Sequence, residues 1–214
     1  MSYRQLPNTL TVLRLILAGV FFLVLNQYRY GVADNPQHLI LWSAFVLFIL
    51  AAGTDWLDGY LARKWQAESQ FGRIMDPFCD KVLVIGAFVY MAGPRFAVPP
   101  EAGESVVRSI TGVYPWMVAV ILARELLVTS IRGEMEGHGS KFGANIFGKL
   151  KMILQSITVP TVLFIVILDP HHLEIDRSWT LWFREGFVYS TVIVTILSGL
   201  PYVTAAWQAM KKKN

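Results

Sequence analysis

The sequence predicts an all-α integral membrane protein with six transmembrane helices. Of its 214 residues, 54% are hydrophobic and only 16% are charged, whereas about 25% of the residues in a typical soluble domain are charged. A soluble domain of this size has too small a core to bury so much apolar sequence. The apolar residues also form long runs separated by charged segments, so we expect lipid to cover them.

Six apolar runs mark the expected helices in chain order. They are Leu10–Leu25, Leu39–Leu57, Val82–Gly93, Val113–Ser130, Met152–Leu168 and Phe187–Trp207. Most of them approach the roughly 20 residues that a helix needs to cross a bilayer. The third run is short unless its helix begins upstream, near Pro77. We therefore expect the charged segment before it to be helical and to lie close to the membrane.

The basic residues are distributed unevenly between the two ends of the expected helices. If the helices cross a membrane in alternation, most of the 19 Lys and Arg residues lie on the side of the N-terminus. By the positive-inside rule, that side faces the cytoplasm. No internal repeat or linker divides the sequence, so we expect one membrane domain over 1–214 in contact with a lipid bilayer, and no nucleic-acid partner.

Four aspartates lie where the second expected helix ends and the third begins. Asp55 and Asp58 are three residues apart, and Asp76 and Asp80 are four apart, so each pair lies on one helical face. Ionisable residues at membrane depth are costly and usually functional. Oxygen ligands favour Mg²⁺ or Mn²⁺, and two such ions can bind a diphosphate. The pattern therefore predicts a site for two metal ions.

Glycines and an arginine accompany the aspartates. Gly59 and Gly72 permit a ligand to approach the backbone closely, and Arg63 offers a forked donor suited to phosphate. A simpler interpretation is that each aspartate is a solvated helix end paired with a nearby Lys or Arg. That interpretation suits one aspartate alone better than it suits the whole pattern.

The segment Asp55–Asp80 resembles the signature of the CDP-alcohol phosphotransferase family at every signature position. The resemblance implies the six-helix fold of that family, a site that opens to the cytoplasm, and usually a homodimer. It implies that the four aspartates bind the metal ions and that Asp80 is the general base. The positions expected to contact CDP-diacylglycerol are Asn8, Thr11, Gly59, Arg63, Ser69 and Gly72. For Asn8, a helix N-cap is the alternative.

Basic residues in the second half of the chain suggest an acceptor that carries its own phosphate. Arg124 lies inside an apolar run, Arg132 ends the fourth helix, and Lys149 and Lys151 open the fifth. Glu125 is placed to orient Arg124 or Lys149. The alternative for the two lysines is that they only set the membrane orientation.

Two stretches that contain these residues, Ala123–Arg132 and Gly148–Lys151, resemble the phosphatidylglycerophosphate synthase branch of the family. Met152 stands where that branch often has Thr. The resemblance implies sn-glycerol 3-phosphate as the acceptor, with phosphatidylglycerophosphate and CMP as products. It also implies a multi-pass protein of the bacterial inner membrane whose site faces the cytoplasm.

The sequence leaves other functions open. The same chemistry could use another acceptor, such as a second phosphatidylglycerol in a cardiolipin synthase, inositol phosphate, or serine. A cation transporter could use the aspartates as an ion site within the membrane, but it would place them near the midplane rather than at the ends of apolar runs. A non-catalytic membrane scaffold is the third alternative.

Overall fold

Six long α-helices make up most of the residues that the computed structural model describes, which are 6–31, 36–65, 70–98, 108–137, 146–168 and 178–213. Inside the helices, the side chains of 6–8, 58–63, 70–74, 76 and 77, among others, are outside this description. The helices are α1 Leu6–Leu25, α2 Pro36–Trp65, α3 Gln70–Met91, α4 Pro115–Gly137, α5 Ile146–Leu168 and α6 Ser178–Lys213. The helices thus follow the predicted order, and α3 begins in the charged segment, as expected.

Among the described residues, three helices contain segments that are long and apolar enough to cross a membrane. These segments are Gln37–Asp55 in α2, Ile146–Leu168 in α5 and Trp179–Gln208 in α6. Thr9–Leu25 in α1 is a shorter apolar helix. Helix α3 carries its charged residues only up to Lys81, and α4 carries its charged residues only from Arg124 onward; a charge is costly at membrane depth. Many large apolar side chains on the helices are exposed, for example Leu23, Ile146 and Trp182, which is typical of a surface in contact with lipid.

Helix α1 packs against both α2 and α3 through aromatic side chains. The rings of Phe21 on α1 and Phe48 on α2 lie 5.6 Å apart, centroid to centroid. Phe22 on α1 stacks on Tyr90 of α3 at 5.4 Å, with only 4° between the ring planes. Gly86 on α3 makes this approach possible, because a Cβ at that position would overlap the ring of Phe22. These contacts fix the position of α1 relative to the two helices that carry the aspartates.

Helices α5 and α6 are joined by buried polar side chains. The Gln155 amide nitrogen donates to the Thr195 hydroxyl at 3.1 Å. The hydroxyls of Thr158 and Thr191 lie 2.7 Å apart in a hydrogen bond. Such bonds fix the register of helices in apolar surroundings, where the hydrophobic effect between helices is weak. They hold the start of α5, and with it Lys151, in a defined place.

The chain packs differently at the other end of the bundle. There α3 is followed by a short 3-10 turn, Pro94–Phe96, and a hairpin of β1 Ala97–Val98 and β2 Arg108–Ser109. Arg184 of α6 is buried and donates to the backbone carbonyl of Ile110 at 2.7 Å. Gly112 next to it has a φ of 68°, which favours glycine. This end lies beyond Met91, about 16 Å along α3 from Asp80 at 1.5 Å per residue.

Candidate functional site

Two of the four predicted metal ligands meet in the described structure. Asp55 projects from α2 and Asp80 from α3, and both contact the same nitrogen of Arg14. The Arg14 Nη1 lies 2.8 Å from Asp55 Oδ1 and 3.0 Å from Asp80 Oδ1. The two carboxylate side chains are 45% and 32% exposed. The α2–α3 pair therefore presents these carboxylates together, as the sequence predicted, on a buried cation that comes from a third helix.

The sequence pattern assigns Arg14 no role in the site. This residue interrupts the first apolar run, and it is 1% exposed in the folded chain. An arginine inside an apolar membrane helix is expected to serve function or to pair with another charge. That expectation was the available signal, but the sequence alone does not show which carboxylates face α1.

Several predicted site residues have side chains outside the described part of the chain. Six of these positions lie in helices, but their side chains are not among those described: Asn8 in α1, Asp58, Gly59 and Arg63 in α2, and Gly72 and Asp76 in α3. Ser69 lies outside the described residues altogether. Thr11 is described, and it is fully buried on α1, one helical turn before Arg14. The roles expected for these positions stay predictions.

A second charged cluster surrounds Glu125 of α4, which is only 6% exposed. Arg124 Nη1 donates to Glu125 Oε1 at 2.9 Å, and Lys151 of α5 donates to the same oxygen. Lys81 of α3 lies 3.8 Å from Glu125 Oε2 and donates to the hydroxyl of Thr129 at 2.8 Å. One buried carboxylate thus gathers three cations from three helices.

The cluster contains two of the four residues predicted to bind the acceptor phosphate, Arg124 and Lys151. The sequence predicted that Glu125 orients Arg124 or Lys149. Glu125 does contact Arg124, but the lysine of α5 that it contacts is Lys151, and Lys149 is exposed. Arg132 contacts α6 instead of Glu125. Its Nη2 donates to the hydroxyl of Tyr202 at 2.9 Å, and its guanidinium lies over the Tyr202 ring. Residues two apart on a helix do not face each other, which explains why Lys149 and Lys151 separate.

Both charged clusters line one cavity of about 410 Å³. Its polar lining includes Asp55 and Asp80 from the first cluster, and Lys81, Glu125 and Lys151 from the second. The remaining walls are largely apolar; they are formed by Phe48, Ala51, Ala52, Leu83, Val84, Ile85 and Met152, with Gln155 and Ser156 beside Lys151. A ligand in this cavity can contact the carboxylates and the ammonium groups at the same time.

Lys81 connects the two clusters along the chain. It follows Asp80 directly, it lines the same cavity, and it reaches Glu125 on α4. From the sequence alone, the lysines and arginines near the aspartates are only possible counter-ions. The contact of Lys81 with Glu125 depends on how α3 packs against α4, and the sequence pattern does not show that packing.

The donor atoms at the first cluster suit a divalent cation. Carboxylate oxygens are the preferred ligands of Mg²⁺ and Mn²⁺, and Asp55 and Asp80 approach each other closely enough to share one guanidinium nitrogen. Within the described residues, no group of three or more His, Cys, Asp or Glu side chains is brought together. Asp58 and Asp76, whose side chains lie outside that description, are the predicted remaining ligands.

Comparison with known proteins identifies the family of the chain. The family model for CDP-alcohol phosphatidyltransferase matches residues 4–198. A Bacillus subtilis protein named CDP-diacylglycerol–glycerol-3-phosphate 3-phosphatidyltransferase is 32% identical over 214 residues, 98% of this chain and 99% of its own. A protein of that name from Cereibacter sphaeroides is 35% identical over 182 residues, 83% of this chain and 71% of its own. A third, from Pseudomonas fluorescens, is 30% identical over 212 residues, 97% and 92% of the two chains.

Proposed function

The chain belongs to the CDP-alcohol phosphatidyltransferase family, and we propose that it transfers the phosphatidyl group of CDP-diacylglycerol to sn-glycerol 3-phosphate. The products are phosphatidylglycerophosphate and CMP, so the enzyme acts in phospholipid biosynthesis. One structural observation supports an acceptor that carries its own phosphate: the cavity that contains Asp55 and Asp80 is also lined by Lys81 and Lys151. The names of the relatives favour glycerol 3-phosphate among such acceptors.

The charge of the second cluster suits a phosphate monoester. Within the part of the chain that the structure describes, three cations surround the carboxylate of Glu125, which is a surplus of two positive charges. A phosphate monoester carries close to two negative charges at neutral pH, because its second pKa is about 6. Charge-assisted hydrogen bonds to phosphate are among the stronger ones in proteins. Serine, which has no phosphate group and no net charge at neutral pH, would leave this surplus largely unneutralised.

The first cluster is the proposed site of the diphosphate and its metal ions. Asp55 and Asp80 would hold Mg²⁺ or Mn²⁺, with Asp58 and Asp76 as further ligands from the same helices. A bound divalent ion neutralises phosphate charge and stabilises a leaving oxygen. Arg63, Gly59, Gly72, Ser69, Asn8 and Thr11 are the proposed contacts of CDP-diacylglycerol.

The reacting groups follow from the shared cavity. Asp80 removes the proton from the glycerol 1-hydroxyl, and the resulting alkoxide attacks the β-phosphorus, which is bonded to diacylglycerol. The bond from that phosphorus to the CMP oxygen breaks, and CMP leaves. Lys151, which lines the cavity, holds the acceptor phosphate, and Arg124, which contacts the same Glu125 oxygen, adds positive charge, so that the hydroxyl is oriented toward the donor rather than free in solution. Lys81, next to Asp80, adds positive charge between the two substrates.

We further propose that the site opens on the cytoplasmic side of a bacterial inner membrane and that the protein is a homodimer. The first proposal is supported by the excess of basic residues on the side of the N-terminus. The end of α2 and the start of α3, which carry the aspartates, lie on that same side. The second rests on the family resemblance alone. Labelling of Lys64, which is exposed near the end of α2, from each side of sealed vesicles checks the orientation.

An acceptor assay tests the proposed function directly. Purified protein in lipid nanodiscs receives labelled CDP-diacylglycerol, Mg²⁺ and one acceptor at a time: glycerol 3-phosphate, phosphatidylglycerol, inositol phosphate or serine. We expect CMP release and a labelled phosphatidylglycerophosphate with glycerol 3-phosphate only. A product with one of the other alcohols in its place would assign the protein to another branch of the family. Full activity in excess EDTA would contradict the metal site.

A further inference from the structure

Arg14 has an unusual position for a cation beside a metal site. It lies on an apolar helix and is 1% exposed, and a single nitrogen, Nη1, contacts carboxylates from two other helices. Asp55 and Asp80 are much more exposed than Arg14, and both line the cavity, whereas Arg14 does not. The guanidinium therefore supports the two carboxylates from the protein side, and the cavity reaches them from the other.

The packing of α1 keeps the guanidinium in this place. Phe21 packs on Phe48 of α2, and Phe22 stacks on Tyr90 of α3. Gly86 leaves the space that Phe22 fills. Because α1 packs against both helices and Arg14 is buried, we expect the charge of Arg14 to stay beside the carboxylates when a ligand enters the cavity.

A fixed positive charge has two opposite effects at this position. It reduces the repulsion between Asp55 and Asp80, which favours the folded arrangement of α2 and α3. It also repels any further cation that the same carboxylates bind, and this repulsion is strong where water is partly excluded. Arg14 and a divalent ion thus neutralise the same pair of charges.

We propose that Arg14 is an internal counter-cation that holds the two carboxylates together and weakens the binding of the divalent ion to them. This inference rests on the metal site of the proposed function. Arg14 is a positioning residue, because it acts on the carboxylates and does not line the cavity. The coupling between Arg14 and the metal is negative and reciprocal: each reduces the benefit of the other.

The experiment measures Mn²⁺ affinity and thermal stability rather than turnover. Binding to purified protein is followed by electron paramagnetic resonance, and unfolding by the fluorescence of the seven tryptophans, in EDTA and in Mn²⁺. The variants are Arg14→Met, Arg14→Gln and Arg14→Lys. Arg184→Met is the matched control, because Arg184 is also a buried arginine but contacts the carbonyl of Ile110 at the other end of the bundle.

We expect the two neutral variants, Arg14→Met and Arg14→Gln, to unfold at a lower temperature in EDTA and to bind Mn²⁺ about tenfold more tightly, a typical size for coupling between sites. Their gain in melting temperature on adding Mn²⁺ is then larger than that of the wild-type protein. Arg14→Lys retains the charge and stays close to the wild-type affinity. Arg184→Met is less stable in both solutions, with unchanged Mn²⁺ affinity.

Mn²⁺ affinity that is equal or weaker in the folded neutral variants would overturn the proposal. If both neutral variants fold only in Mn²⁺, the proposal is supported, and if neither folds in either solution it is overturned. A wild-type protein that shows no response to Mn²⁺ would instead contradict the metal site of the proposed function. An equal response in the wild type and the neutral variants would contradict only the role of Arg14.

Discussion

The two charged clusters of the cavity are arranged in opposite ways. At the first, one buried cation, Arg14, serves two partly exposed carboxylates. At the second, one buried carboxylate, Glu125, serves three cations. Among the described residues, carboxylates outnumber cations in the first cluster and cations outnumber carboxylates in the second. Each buried charge therefore organises side chains of opposite sign and leaves part of their charge available to a ligand.

This difference explains how one small cavity can bind both a metal-bound diphosphate and a separate phosphate. A uniform cluster of carboxylates would repel the acceptor, and a uniform cluster of cations would repel the metal ions. Burying a lone charge is costly, and the cost is reduced only when partners surround it. Arg14 and Glu125 meet that condition, because each lies in contact with groups of opposite sign.

The largest expected effect is at the first cluster. Asp80→Asn removes a metal ligand and the proposed base together, so we expect the rate of CMP release to fall by at least about 10³-fold, within the range for general-base catalysis. Single-turnover release of labelled CMP measures it. Glu185→Gln is the matched control, since Glu185 is half-exposed on α6 and contacts only Arg184 among the described residues. Full turnover by Asp80→Asn would remove Asp80 from the mechanism.

The next effect separates the two lysines of α5. Lys151→Ala removes a cation from the positive surplus, so we expect KM for glycerol 3-phosphate to rise by about 100-fold, in the range for losing one partner of a buried charge pair. KM for CDP-diacylglycerol should change little. Lys149→Ala, two residues away on the exposed face, should change KM for the acceptor by less than about threefold. Equal effects of the two substitutions would show that the contacts of Glu125 do not define the acceptor site.

In each cluster the sequence pattern points to all but one of the described members, and the missing ones are Arg14 and Lys81. The helix order, the start of α3 and the meeting of Asp55 with Asp80 follow from apolar runs and helical periodicity, which are local properties. Arg14 and Lys81 join the site only through the packing of α1 on the α2–α3 pair and of α3 on α4. Lys149 is different, because the two-residue spacing to Lys151 already places these lysines on different faces, so its separation was predictable.

The third effect tests whether Glu125 is the counterpart of Arg14. Glu125→Gln leaves three cations close together, so we expect the free energy of unfolding to fall by about 2 kcal/mol, as for a buried charged group that loses its partner. An added phosphate monoester supplies the missing negative charge. Glycerol 3-phosphate should therefore raise the melting temperature of Glu125→Gln more than that of the wild type, measured by tryptophan fluorescence. A smaller rise would mean that Glu125 does not share the cations with the acceptor.

The smallest effect concerns the packing that holds α1 near the first cluster. An alanine at Gly86 overlaps the ring of Phe22, so Gly86→Ala should lower the free energy of unfolding by about 1 kcal/mol through overpacking. Gly53→Ala on α2 is the matched control, because nothing lies within 4 Å of the added Cβ, and alanine there should stabilise the helix by about 0.5–1 kcal/mol.

The same pair of variants shows whether α1 controls the carboxylates. If Gly86→Ala displaces α1, it moves Arg14 away from Asp55 and Asp80, and Mn²⁺ affinity should rise by a few-fold, in the direction expected for the neutral Arg14 variants but less far. Gly53→Ala should leave that affinity unchanged. The acceptor cluster is held by α3, α4 and α5 rather than by α1, so KM for glycerol 3-phosphate should stay constant in both. A parallel change in Mn²⁺ affinity and acceptor KM would mean that the two clusters are mechanically linked.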